Sequence, residues 1–316
     1  MNVVFFGTES ESALILEKLI SSGFEITTVV TKPDRPRGRG QKLDSPLVKK
    51  LADQHNIPVL QPEILIPDVI ARSIATKQSS SNNLDRHADA RDDNTIGVLV
   101  SYGKIIPQSI IDLFPHGIIN IHPSLLPKYR GPSPIETTIA NGDSETGVSL
   151  MALSAEMDAG PVYAQQTIPL NGTETKPTLY EKLFTVGSKL LIDNISKIIS
   201  GKLKPIPQND AHATYTKLLN KADGLLDPTS MTAAACEHKV RAYLGFPRTR
   251  INFLGREVII TSAHVAEFEH EHGIQCADDK WLVIDELISP TSGKQMKTTD
   301  YLRGLIAKSS CMSSRT

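Results

Sequence analysis

Apolar and polar positions alternate along this chain in two distinct grammars, one for the first two-thirds and another for the rest. Residues 3–6 form a short apolar run that stops at Gly7 and Thr8. Ala13, Leu14, Leu16, Leu19 and Ile20 then recur at helical spacing, Gly23 closes the helix, and residues 26–30 are apolar again. Strand, glycine turn, helix, strand is how a doubly wound, mostly parallel α/β sheet begins. The same alternation predicts strands at 57–60, 96–100, 117–119, 147–153 and 162–168. Helices are predicted at 48–54, 110–114, 134–140 and 179–199. Residues from about 75 to 95 carry too few apolar side chains to bury a face, which predicts a mobile polar insertion. Beyond Asp210 the pattern changes to short strands at 249–253, 258–263 and 281–284 between turns, preceded by one helix at 231–243. The expected organisation is a catalytic domain over 1–201, a linker over 202–211 marked by Pro205 and Pro207, and a small β-rich domain over 212–316.

Composition narrows the partners without choosing one. The 316 residues hold 34 basic and 35 acidic side chains, a formal net charge of -1, so any anionic partner must be met by a local patch. Cys236, Cys276 and Cys311 have no metal-like spacing, which predicts free thiols, a reducing compartment and no metal site. The first residues already read as a strand, and no apolar run is long enough for a membrane helix. A soluble, cytoplasmic protein is expected, with no membrane partner, and a monomer because no exposed apolar helix stands out.

Two stretches carry chemistry. Asn120, Ile121 and His122 end a buried strand, so Asn120 and His122 leave one face while Ile121 goes to the other. An amide donor beside a histidine suits acyl transfer to an amine, with Asn120 stabilising the oxyanion and His122 moving the proton. Asp158, in the turn Asp158-Ala159-Gly160, is the expected carboxylate that orients the histidine. No serine or cysteine sits in a nucleophile-elbow context, which favours direct attack by the amine. The second stretch runs from Lys32 to Lys50, where Arg35, Arg37, Arg39 and Lys42 are spaced by Gly and Pro. It reads as an irregular loop able to meet phosphates, or as solvated surface.

Asn120-Ile121-His122-Pro123-Ser124-Leu125-Leu126-Pro127 with Arg130-Gly131, followed by Gly147-Val148-Ser149 and Met157-Asp158-Ala159-Gly160, resembles the signature of the 10-formyltetrahydrofolate-dependent formyltransferases. That resemblance implies a Rossmann-like catalytic fold and makes Asn120, His122 and Asp158 the catalytic trio. It implies that Ser124, Leu125, Leu126 and Pro127 border the folate, that residues 99–107 line the pteridine pocket, and that no metal takes part. The basic loop, together with Lys221-Ala222-Asp223-Gly224, Arg241-Ala242-Tyr243 and Asp300-Tyr301-Leu302-Arg303-Gly304, resembles the methionyl-tRNA branch of that family. By that resemblance Arg35, Arg37, Arg39 and Lys42 meet initiator methionyl-tRNA. The C-terminal domain becomes an OB-like β-barrel that binds tRNA, and the reaction formylates the α-amino group for translation initiation. Formyl transfer to an amino-sugar nucleotide is the alternative acceptor chemistry. The chain departs from the branch at Glu9-Ser10-Glu11, at Pro123 and at Gly245-Phe246-Pro247-Arg248.

Overall fold

The structure, a computed structural model, describes residues 2–37, 42–75 and 94–313. The chain opens with β1 (Asn2–Gly7), α1 (Ser10–Ser21) and β2 (Glu25–Val30). Next come β3 (Arg35–Arg37), β4 (Lys42–Asp44), α2 (Leu47–Gln54), β5 (Val59–Leu60) and α3 (Pro67–Ala75). The run β6 (Thr95–Val100), α4 (Gln108–Ile111), β7 (Ile118–His122) and α5 (Pro134–Ala140) carries the Asn-His stretch. After it lie β8 (Glu145–Ala152), β9 (Val162–Pro169) and the long α6 (Lys176–Ile199). Seven strands join in the order β5-β2-β1-β6-β7-β8-β9. The first five are parallel and β8 runs antiparallel to β7. Parallel strands covered on both faces must be apolar throughout, and residues 3–6 and 118–119 are all buried. Phe6 meets Tyr102 and Phe114 edge-on, each with ring centroids 5.9 Å apart, in a core shared with Ile70, Ile110 and Ile118.

The remainder holds α7 (Ala233–Ala242), β10 (Thr249–Phe253), β11 (Arg256–Ala266), β12 (Gly273–Gln275), β13 (Trp281–Ile288), β14 (Gln295–Lys297) and α8 (Thr298–Ser313). Its strands form one curled antiparallel sheet in the order β10-β11-β13-β12, with β14 also on β13, the open half-barrel of an OB-like domain. Leu282, Ile284 and Leu287 of β13 pack with Cys236 and Val240 of α7 in this core. Burial pushes the Cys236 thiol up to about 12, so it behaves as a small apolar group. Cys236 and Cys276 are both free and buried, while the side chain of Cys311 lies outside the described residues. Among the described residues no helix is long and apolar enough to cross a membrane.

Several expectations change. Residues 35–37 and 42–44, read as irregular, pair as an antiparallel hairpin with Arg35 opposite Asp44 and Arg37 opposite Lys42. Pro36 is tolerated there because a two-stranded ribbon leaves one side of each strand unpaired. α3 was not foreseen: Pro67 opens it and Ile70 is fully buried, whereas residues 76–93, nearly all of the polar insertion expected at about 75 to 95, lie outside the described part. α8 went unforeseen. Compact grouping of the chain also gives no single cut. One unit holds residues 1–131, 147–168 and 180–215, and the other holds 132–146, 169–179 and 216–316. Residues 202–211, the expected linker, group with the first unit. Ile206 and Val162 exchange two backbone hydrogen bonds of 2.8 Å, which makes this stretch an added edge of the sheet unit.

The hairpin is tied to the sheet unit through Asp34. Lys49 donates to Asp34 Oδ2 at 2.7 Å and to Gln61 Oε1 at 2.8 Å. Gln61 donates to Asp34 Oδ1 at 2.7 Å and to the Lys32 carbonyl at 2.8 Å. The hydrogen bonds from Lys49 and Gln61 hold the Asp34 carboxyl down to about 2 against an ordinary 3.8. A depressed carboxylate stabilises the fold fully above its unfolded value and loses that contribution as pH falls through its folded value. The hairpin anchor should therefore weaken between about pH 4 and pH 2. A carbon-13 titration of the Asp34 carboxyl is expected to show a midpoint near the lower end; a midpoint at the ordinary value contradicts the network.

Candidate active site

β7 ends the sheet's middle with two polar side chains on one face, because strand side chains alternate. Asn120 pairs with Leu99 of β6 on one side and Met151 of β8 on the other, and His122 pairs with Ser149. Both are buried, at 6% and 4% exposure, although neither is apolar. Buried polar groups require partners, and here they come from two loops that close over this face.

The first loop is residues 123–131. Tyr129 turns back with φ 61°, and its carbonyl lies 2.9 Å from His122 Nε2. A carbonyl only accepts, so Nε2 carries the hydrogen and the neutral ring is left with its lone pair on Nδ1. The second loop joins β8 to β9 and brings Asp158 over the same face. Asp158 Oδ2 stands 3.6 Å from His122 Nδ1, and Asn120 Nδ2 donates to Asp158 Oδ1 at 3.4 Å. The better-formed bond to this carboxylate comes from the Gly131 backbone N–H, 2.8 Å from Oδ2. Asp158 thus faces the base nitrogen of His122, while Tyr129 fixes the ring. Orientation of the ring therefore has two sources, the Tyr129 carbonyl on Nε2 and the Asp158 carboxylate facing Nδ1.

Asp158 adopts φ 50°, in the left-handed region, which costs an L-residue roughly 1–2 kcal/mol. A hydrogen bond to a charged acceptor contributes about 1.5–3 kcal/mol, so the Gly131 bond is enough to offset that strain. The turn also needs Gly160. A Cβ there would stand 1.9 Å from the Ala152 carbonyl oxygen, a backbone atom with nowhere to go.

The residues expected to border a folate divide in two. Ser124 and Leu126 are buried, at 1% and 5% exposure, and serve the loop itself. Ser124 Oγ donates to the Lys128 carbonyl at 2.6 Å. Ser149 Oγ donates to the Ser124 carbonyl at 2.6 Å and accepts from the Leu126 N–H at 3.1 Å. Gln165 Nε2 donates to the Leu126 carbonyl at 2.8 Å. Leu125 and Pro127 remain half-buried. The segment after Leu99 starts beside Asn120, and within it Ile105 is 85% exposed. In the hairpin, Arg35 is exposed; the side chains of Arg37 and Lys42, and all of Arg39, lie outside the described residues. Among the described residues no three His, Cys, Asp or Glu side chains are placed to hold a metal ion.

Sequence reasoning missed Tyr129, Gly131, Ser149 and Gln165 as supports. Tyr129 and Gly131 act through backbone atoms, which leave no mark in residue type. Gln165 carries a readable signal, a polar side chain at an otherwise ordinary strand position.

A family model described as formyl transferase matches residues 1–195. A protein of Roseiflexus castenholzii named methionyl-tRNA formyltransferase is 35% identical over 96% of this chain and 96% of its own length. One of the same name from Pseudoalteromonas translucida is 38% identical over 96% and 94%. Among solved structures, the N-formyltransferase of Helicobacter canadensis in complex with folinic acid and dTDP-3-aminofucose superposes with a TM-score of 0.65. It covers 89% of this chain and 98% of its own at 19% identity, a likeness of fold. Sheet, site and family model together define a formyl-transferring enzyme. More closely, the chain belongs to the methionyl-tRNA formyltransferase family.

Gly160→Ala should displace the turn that carries Asp158. Overpacking of this kind costs about 1–3 kcal/mol. The variant is expected to melt lower in a thermal denaturation and to lose turnover, whereas wild-type values for both would show that the turn has slack.

Proposed function

We propose that this protein transfers the formyl group of 10-formyltetrahydrofolate to the α-amino group of initiator methionyl-tRNA in the cytoplasm. The convergence of Asn120, His122 and Asp158 on one buried face carries the formyl-transfer half of the reading. Asn120 has one amide hydrogen directed at Asp158 and a second to offer the formyl oxygen. The amine attacks as its neutral form, available near about pH 8 because free α-amino groups titrate at 7.7–8.0. As the new C–N bond forms, negative charge grows on the formyl oxygen and Asn120 stabilises it. His122 Nδ1 takes a proton from the attacking nitrogen, with Asp158 stabilising the imidazolium at 3.6 Å. Return of that proton to the folate nitrogen lets the old C–N bond break. The products are tetrahydrofolate and the formylated amine, with no covalent enzyme intermediate. Leu125 and Pro127 border the folate in this reading, and Ser124 and Leu126 shape the loop from behind.

The acceptor half rests on the near full-length likeness to methionyl-tRNA formyltransferases and on the basic hairpin. A cleft of about 590 Å³ lies at the ends of β1 and β2, lined by Thr8, Lys32, Arg35, Ser45 and Lys50. That volume lies within the range of small-molecule sites and suits one nucleotide. Arg35, Arg37, Arg39 and Lys42 are the proposed contacts to the phosphates of the acceptor stem, and residues 212–316 the proposed second tRNA-binding unit.

The test pairs 10-formyltetrahydrofolate with charged initiator tRNA and, in parallel, with a panel of amino-sugar nucleotides. Formylation of the tRNA alone is expected; formylation of a sugar alone overturns the acceptor assignment. Replacing Arg35, Arg37 and Arg39 by alanine should raise KM for tRNA and flatten its salt dependence by up to about one unit of log slope per lost phosphate contact. An unchanged slope assigns the hairpin to plain surface.

A further inference from the structure

We propose that Gln208 is a positioning residue of the active site, acting through the Asp158 turn and itself oriented by Arg130. Gln208 lies in the proline-bearing stretch after α6, where composition predicts only a connector. The backbone bonds between Ile206 and Val162 fix this stretch against β9, and Gln208 is two residues further on.

Its amide is fully used. Nε2 donates to the Asp158 carbonyl at 2.8 Å and to the Gly160 carbonyl at 2.7 Å. Oε1 accepts from Arg130 Nε at 3.0 Å and Arg130 Nη2 at 2.9 Å. Two N–H groups and two lone pairs are all that a glutamine amide has. A guanidinium has no acceptor, so Arg130 dictates which end of the amide faces the turn. Arg130 is 2% exposed, and Nη2 also donates to Asp210 at 2.7 Å.

The geometry closes a ring. Arg130 holds Gln208, Gln208 holds the carbonyls on either side of Ala159, and the Asp158 carboxylate accepts from Gly131, the residue after Arg130. A left-handed Asp158 stays where it is only while the surroundings over-determine it. Gln208 grips that backbone on the carbonyl side, and Gly131 grips the side chain. Removing the first grip lets the carboxylate drift from His122 and Asn120. Misplacement on the scale of 1 Å costs on the order of 10²-fold in rate.

This inference rests on the formyl-transfer reading for its kinetic arm, so the experiment carries a second arm that needs no substrate. In the full chain, Gln208→Ala and Gln208→Glu are compared with wild type. Glutamate keeps an acceptor for Arg130 but has no hydrogen for the Asp158 and Gly160 carbonyls, so it should not rescue. Both variants should lower kcat by roughly 10- to 100-fold with KM for folate and tRNA within about 3-fold. Amide hydrogen exchange of Gly131, which reports its bond to the carboxylate, should quicken at least about 10-fold while core amides such as Val4 and Leu150 keep wild-type rates. Wild-type Gly131 exchange in both variants overturns the positioning role whatever the substrate proves to be. So does an equal rise at every core amide, which marks a merely structural residue. Quickened Gly131 exchange in a protein whose wild type formylates no tRNA keeps the positioning role and sinks the acceptor reading instead.

Discussion

Everything at the end of β7 depends on where the Asp158 carboxylate stands. Its 2.8 Å bond from the Gly131 N–H joins the two loops that cover Asn120 and His122. Each loop contains a residue in the left-handed region, Tyr129 at φ 61° and Asp158 at φ 50°. Neither conformation is stable alone, and each presents a group that the other loop needs in place. Tyr129 offers a carbonyl to one nitrogen of His122, and Asp158 offers a charge to the other. The imidazole is thereby given one tautomer and one orientation.

The sheet sets up this arrangement before any loop closes. A parallel core forces β7 to be apolar along most of its length, so its two polar residues are confined to one face near its end. The antiparallel β8 puts Ser149 beside His122, where its hydroxyl fixes the loop at Ser124 and Leu126. The chemistry thus rests on secondary-structure register first and on hydrogen bonds second.

Much of this was legible in the sequence, and the rest was hidden for identifiable reasons. Alternation placed Asn120 and His122 on one face, and the spacing of apolar runs gave the succession of sheet strands along the chain. Residue types suggested the trio and the family resemblance named it, but neither pointed to the Tyr129 carbonyl that shares the orienting of His122, since backbone atoms look alike in every sequence. Pro205 and Pro207 signal an irregular path and were read as a linker, yet irregular chain can still be bound along its length, as Ile206 is. The Gly- and Pro-rich basic stretch looked unable to pair, but three residues on each strand suffice for an antiparallel ladder. α3 and α8 were missed because each borders or contains polar sequence, and burial of Ile70 and Tyr301 overrides it.

The central claim is that His122 and Asp158 work as one proton-handling unit in formyl transfer. Its most direct test measures kcat for His122→Ala, Asp158→Asn and the double variant, with circular dichroism to confirm the fold. Each single change is expected to lower kcat by about 10² or more. The double variant should be little slower than the worse single, because groups that act together are not additive. Losses that multiply in the double variant, or near-normal turnover in either folded single, would contradict the account.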